Sequence, residues 1–304
     1  MESPRNIAII GGGLMGAGIA QVFATAGHTV RVFEPADAVR DTVVSRVIDL
    51  LHLYGLDESA ASRIEVTVEL SKAVAGADFV TEAAPEKLEL KRSIFAQLVD
   101  LASPHAILAS NTSVIPIRRI AEGLPTAGRI VGTHWWNPAG LIPLVEVVQA
   151  EQTSTATVAA TLALLKSVGK APAHVTKDTP GFVANRLQHA LWREAIAMLA
   201  EGICDAATLD ACVKNSFGLR LAVLGPLENA DLVGLDLTLD IHKTMIPELS
   251  RLDRPDPYLE AQVAVGRLGF KSGAGFKEWS ASEMQALRQR LALHLLAARR
   301  NRSA

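Results

Sequence analysis

The sequence predicts an α/β chain, with a doubly wound and largely parallel sheet over residues 1–180 and an all-helical domain over 181–304. Three observations carry this expectation. Short β-branched runs alternate with longer amphipathic stretches, which is the pattern of βαβ units. The first such run leads directly into Gly11-Gly12-Gly13-Leu14-Met15-Gly16, a glycine-rich turn that opens a helix. After Lys177-Asp178-Thr179-Pro180-Gly181 the alternation stops and the apolar spacing becomes helical throughout.

In chain order, the expected strands are Asn6–Ile10, Thr29–Phe33, Ile64–Val68, Phe79–Thr81, Ile107–Ala109, Ile130–Thr133, Leu144–Val148 and Pro172–Val175, each short, branched and bounded by turn residues. Between them, Ala17–Ala26, Ala38–Tyr54, Leu88–Leu101 and Ala156–Val168 place apolar side chains three and four residues apart and are expected as helices. Phe182, Leu187, Leu191 and Leu199 mark a further helix over 182–201, which Asp178 or Thr179 can cap with Pro180 in its first turn.

Composition bounds the function classes. The chain has 304 residues, 49% hydrophobic and 20% charged, with a net charge of −2, so it is neither a disordered nor a strongly basic chain. With 14 aromatics and no dense Lys/Arg block, nothing marks a nucleic-acid surface. Cys204 and Cys212 stand outside any CxxC or Cys/His cluster, so neither a disulfide framework nor a metal site is expected. The N-terminal residues enter an apolar run at once, and no apolar run approaches the ~18 residues a membrane span needs. A cytoplasmic protein without a membrane partner is expected.

The glycine loop carries the first chemistry. Gly11 permits the tight turn, Gly13 lets backbone approach a pyrophosphate, and Gly16 allows the helix to pack closely on the strand, while the N–H groups of Leu14 and Met15 face the anion. Glu34 lies 23 residues after Gly11, at the end of the second expected strand, where a carboxylate accepts ribose hydroxyls and repels a 2′-phosphate. This is a Rossmann-type site, and it favours NAD over NADP.

His134 ends one apolar strand and Glu146 stands alone within another, Leu144-Val145-Glu146-Val147-Val148. A strand-end histidine suits proton abstraction near neutral pH, and a semi-buried carboxylate can orient its ring. Taken alone, each residue also fits an ordinary structural role. At these residues the chain resembles the L-3-hydroxyacyl-CoA dehydrogenase family over nearly its whole length. His134-Trp135-Trp136-Asn137-Pro138 with Glu146 twelve residues on matches the family's HFFNP and Glu, Ser110-Asn111-Thr112-Ser113 its SNTS segment, and residues 178–186 its DTPGFxxNR. The resemblance implies that His134 is the general base and Glu146 its partner, and that Ser113 and Asn185 bind the reacting oxygen. It also implies NAD contacts by Glu86, Lys91, Ser113, Asn137 and Lys271. Trp135 and Trp136 replace two phenylalanines and are expected to line core or pocket.

Two departures from the family bear on substrate. Acyl-CoA members hold the coenzyme A nucleotide with a lysine-rich excursion after the second strand, whereas residues 1–71 here contain no lysine, and the excursion offers only Arg40, Arg46 and Arg63. The helical domain reads Phe217-Gly218-Leu219-Arg220-Leu221, which resembles the small-carboxylate branch that includes gulonate 3-dehydrogenase (lambda-crystallin) and carnitine dehydrogenase. Arg220 there offers a planar fork for a substrate carboxylate. The expectation is an NAD-dependent dehydrogenase of a small 3-hydroxy carboxylate. The alternatives are an acyl-CoA dehydrogenase with an arginine grip and a non-catalytic, crystallin-like NAD-binding protein. Fold analogy adds a homodimer through the helical domain.

Overall fold

The computed structural model describes residues 3–303. Two compact units emerge, one formed by Met1–Asn185 with His294–Ala304 and the other by Arg186–Leu293. The first is built on eight strands: β1 (Asn6–Ile10), β2 (Thr29–Phe33), β3 (Ile64–Thr67), β4 (Phe79–Glu82), β5 (Ile107–Ser110), β6 (Ile130–Trp135), β7 (Leu144–Val148) and β8 (Ala171–Val175). They form one sheet in the order β3-β2-β1-β4-β5-β6-β7-β8. Every neighbouring pair is parallel except β6 and β7.

Alternation along β1 shows how both faces are covered. Ile7 and Ile9 join a core with helices Leu14–Thr25 and Val43–Tyr54, while Ala8 and Ile10 join a second core that includes Ile94, Phe95 and Leu98 of helix Leu88–Leu101. Strand order reverses between β1 and β4. In open α/β sheets, the carboxyl ends of strands at such a switch point form the ligand crevice.

The helix expected over 38–54 is two pieces, Asp37–Arg40 and Val43–Tyr54. Thr42 turns its hydroxyl back onto the Val39 carbonyl, a local bond that competes with helix continuation. The helix expected from 182 starts at Ala184 and runs to Ala200. Asp178 does not cap it: its Oδ2 accepts the Arg118 N–H at the short helix Ile117–Ile120. Instead the Val183 and Ala184 N–H groups donate to Glu146 Oε1 on β7. These bonds and that from Asn185 to the Ser113 carbonyl tie residues 183–185 to the first unit.

The second unit is helical, with most of Ala184–Ala200 followed by Ala206–Lys214, Pro226–Val233, Leu235–Met245, Pro257–Ala264 and the start of Ala281–Ser303. Among its described residues Ala197 is the only fully enclosed apolar side chain, while Val223, Leu227, Leu232, Leu235 and Val265 are exposed. No helix among the described residues is long and apolar enough to cross a membrane.

The tight β6 environment gives a packing test. A Cβ on Gly132 would lie 2.8 Å from both Ile117 Cδ1 and Val148 Cβ. Gly132→Ala should destabilise the first unit by about 1–3 kcal/mol through overpacking, read as a lower urea midpoint at an unchanged slope.

Candidate active site

The site begins with a reversal in the sheet. Because β6 and β7 run antiparallel, His134 and Glu146 are direct cross-strand partners, and their twelve-residue spacing is the length of the connecting turn plus the strand ends. Both are buried, at 4% and 1% exposure. His134 Nδ1 lies 2.8 Å from Glu146 Oε2. The other oxygen, Oε1, accepts the N–H groups of Val183 at 2.9 Å and Ala184 at 3.0 Å, at the N-terminus of the 17-residue helix Ala184–Ala200.

Burial opposes ionisation of Glu146. The bonds from His134, Ala184 and Val183 and the attraction of the imidazole outweigh it and hold the carboxyl below its usual range. An ionised Glu146 only accepts, so Nδ1 carries the hydrogen and Nε2 is left as the basic nitrogen. No partner is recorded for Nε2 among the described residues.

Two aromatic rings flank the imidazole, Trp136 at 5.2 Å and Phe182 at 5.7 Å between centroids. Phe182 is a buried non-glycine residue at φ 50°, and this left-handed turn after Gly181 presents the next two N–H groups to Glu146. The Trp136 Nε1 is enclosed without an acceptor among the described residues. Trp135 packs in the core against Phe23 at 5.9 Å.

The Ser110–Ser113 segment leaves the end of β5 beside this pair. Asn111 Oδ1 accepts the Trp135 N–H at 2.9 Å, tying the segment to β6. Glu86 Oε1 accepts from Thr112 Oγ1 at 2.5 Å and from the Ser113 and Val114 N–H groups at 2.9 and 3.1 Å. Burial again opposes the charge on Glu86, and Thr112, Lys91 and the two amides prevail, lowering its pKa. Asn185 Nδ2 donates to the Ser113 carbonyl at 3.0 Å, so Ser113 and Asn185 are brought together.

At the switch point, Gly11 has φ 110°, and a Cβ there would lie 2.8 Å from the Ala83 carbonyl oxygen. A Cβ on Gly16 would collide with the Gly11 carbonyl. Gly13 is the N-cap of helix Leu14–Thr25, which has no side-chain cap and no acid in its first turn, and a Cβ on Gly13 would meet nothing within 4 Å. An uncapped helix start with open space above Gly13 fits the pyrophosphate of a dinucleotide. Leu14 is exposed and Met15 half-buried there. Glu34 closes the loop from beneath, its two oxygens accepting the Gly12 N–H at 2.8 Å and the Ala36 N–H at 2.9 Å.

Asn137 is exposed on the turn after β6. Lys91 is fully buried, with Glu82 Oε1 at 2.7 Å and Glu86 Oε2 and the Ala84 carbonyl both at 3.3 Å. Arg220 and Lys271 are exposed in the second unit. The sequence reading gave no role to Asn111, Thr112, Phe182 or Glu82. Glu82, like Glu146, is a lone carboxylate in an apolar strand, ending β4 where Glu146 sits in the middle of β7.

Two family models cover most of the chain: the 3-hydroxyacyl-CoA dehydrogenase NAD binding domain over residues 6–179 and the 3-hydroxyacyl-CoA dehydrogenase C-terminal domain over 181–279. The chain belongs to the 3-hydroxyacyl-CoA dehydrogenase family. Within it, this is an NAD-dependent oxidoreductase acting on a hydroxyl group. It is 35% identical over 302 residues to 5-formyl-3-hydroxy-2-methylpyridine 4-carboxylate 5-dehydrogenase of Mesorhizobium japonicum, covering 97% of each chain. L-carnitine dehydrogenase of Streptomyces griseus is 41% identical over 238 residues, covering 77% of this chain and 71% of that one. A crystal structure of the pyridine-carboxylate enzyme, described as an NAD+ dependent dismutase, superposes with a TM-score of 0.91 at 35% identity over 98% of both chains.

The depressed Glu146 pKa makes a stability prediction. A carboxyl lowered on folding stabilises the protein above its unfolded value and loses that contribution as pH falls through its folded value. Wild type should exceed Glu146→Gln by about 1–3 kcal/mol near neutrality, a gap held down to the ordinary carboxyl value of 4.5. Urea titrations at falling pH should show the gap closing below that point.

Proposed function

We propose that this enzyme interconverts the 3-hydroxyl and 3-keto forms of a small carboxylate. The observation that carries the reading is the His134–Glu146 pair, in which the ring is bound at Nδ1 and Nε2 remains available to take a proton. His134 removes the hydroxyl hydrogen as general base, and the ionised Glu146 stabilises the imidazolium that forms. Ser113 and Asn185 hydrogen-bond the reacting oxygen. Bound NAD supplies the hydride acceptor. Gly11, Gly13, Leu14, Met15 and Gly16 bind its pyrophosphate, Glu34 its ribose, and Glu86, Lys91, Ser113, Asn137 and Lys271 the remaining cofactor contacts.

Arg220 holds the substrate carboxylate in this reading. Supporting it are two relatives whose names specify a pyridine carboxylate and L-carnitine. The excursion after β2 adds support, because Arg40 is tied to Asp37 and the Glu34 and Pro35 carbonyls, and Arg63 to the Ala24 carbonyl. Two of its three arginines thus have partners within the fold, which argues against a grip on coenzyme A phosphates.

The helical domain over 181–304 serves the substrate and forms a homodimer. The exposed apolar side chains of its helices, with almost nothing enclosed among the described residues, support this. The cytoplasm is the proposed compartment, which suits the free thiols of Cys204 and Cys212. Light scattering should then return twice the 32.3 kDa chain mass, and a monomer would refute the dimer.

Activity is tested by NADH oxidation with small keto acids, dehydrocarnitine among them, beside acetoacetyl-CoA. His134→Ala should lower kcat by about 10²–10⁴-fold with NADH affinity kept. Arg220→Ala should raise KM for the keto acids selectively. Preference for acetoacetyl-CoA, with Arg220→Ala silent, would replace the small acid by an acyl-CoA substrate.

A further inference from the structure

Beneath the switch point lies a second buried charge pair that the proton-transfer chemistry does not use. Glu82 ends β4, directly beside Ile10 at the end of β1, and both Glu82 and Lys91 are 0% exposed. Glu82 Oε2 accepts from Ser110 Oγ at 2.6 Å, and Oε1 accepts from the Ala84 N–H and from Lys91 Nζ, each at 2.7 Å. An ammonium has three N–H donors. Lys91 Nζ donates to Glu82 Oε1 and the Ala84 carbonyl and lies 3.3 Å from Glu86 Oε2 as an ion pair, so it joins three groups of the protein.

Each member of this cluster holds a loop that lines the crevice. The Glu82–Ala84 bond shapes the turn after β4, whose Ala83 carbonyl is the atom that excludes a side chain at Gly11. Lys91 reaches Glu86 on that same turn, and Glu86 gathers Thr112 and the Ser113 and Val114 N–H groups from the turn after β5. Asn185 closes the chain on the Ser113 carbonyl. A continuous run of polar contacts therefore connects the floor of the switch point to Ser113 and Asn185.

We propose that Glu82 is a positioning residue for hydride transfer: through Lys91 and Glu86 it fixes the Asn111–Val114 loop, with Lys91 as the relay within this network. The inference rests on the dehydrogenase reading for its kinetic arm only. A buried pair retained for stability alone is replaceable by uncharged groups of similar shape, whereas removal of one partner leaves a costly unpaired charge. That difference separates a positioning role from a packing role.

The experiment compares Glu82→Gln, Lys91→Met and the double variant by thermal unfolding, kcat and hydrogen exchange at the Ser113 and Val114 amides in the cofactor-free protein. Each single variant should lower Tm. In the double variant Tm should return toward wild type, while kcat stays down about 10²-fold, the scale of a misplaced reacting group, and exchange at the two amides stays faster. Recovery of wild-type exchange at the two amides in the double variant would overturn the proposal. Should the double variant not fold, Ser110→Ala decides, because it removes one bond to Glu82 without stranding a charge. Faster exchange at both amides with Tm little changed is then expected, and wild-type exchange refutes the network. Exchange needs no substrate, so failure of the substrate assignment leaves this arm readable.

Discussion

The Glu146 carboxylate holds the geometry of the candidate site together. One oxygen meets the His134 ring and the other meets two N–H groups at the start of the helix that carries the chain into the second unit. A carboxylate at a helix N-terminus is favoured by the partial positive charge of the exposed amides, and this charge also fixes which imidazole nitrogen is free. Were β7 parallel to β6, the two residues would not be direct cross-strand partners, and the connection would need a crossover segment in place of the short turn at 136–143. The single antiparallel pair in the sheet is thus what sets His134 against Glu146.

Much of this was legible in the chain. The glycine loop, the strand-end His, the lone Glu within an apolar strand and the shift to helical spacing after residue 180 follow from local rules that operate over a few residues. The structure places β1, β2 and β7 on the expected spans and extends β4, β5 and β6 to Glu82, Ser110 and Trp135, so their last residues lie where the site is built. What stayed hidden depends on contacts far apart in sequence. Asp178 looks like a helix cap by local pattern, yet it serves a turn 60 residues away, and Glu146 takes its place from 37 residues away. Glu82 and Lys91 look like solvated residues until the fold closes over both.

Phe182 shows why a motif can be recognised before its physics is understood. Its left-handed backbone is costly for a residue with a side chain, on the order of 1–3 kcal/mol. The ring is nevertheless enclosed beside His134, and the following amides reach Glu146 from that same turn. One residue thus links ring packing to helix entry, and neither its type nor its neighbours announce this.

The buried carboxylates of Glu82, at the end of β4, and Glu146, in the middle of β7, differ in what they hold, and that difference separates their chemistry. Glu146 holds an imidazole whose Nε2 has no partner among the described residues, which leaves that nitrogen able to take a proton. Glu82 holds an ammonium that also donates to the Ala84 carbonyl and pairs with Glu86, so this partner joins the turn after β4 to the residues beyond it. Both pairs oppose the same cost of burying charge, and both remove it by close contact and added N–H or O–H donors. The imidazole pair spans the antiparallel β6–β7 pairing and the ammonium pair lies where β4 meets β1 at the switch point, so the two sit on different strand pairs and each can be disturbed by its own substitution.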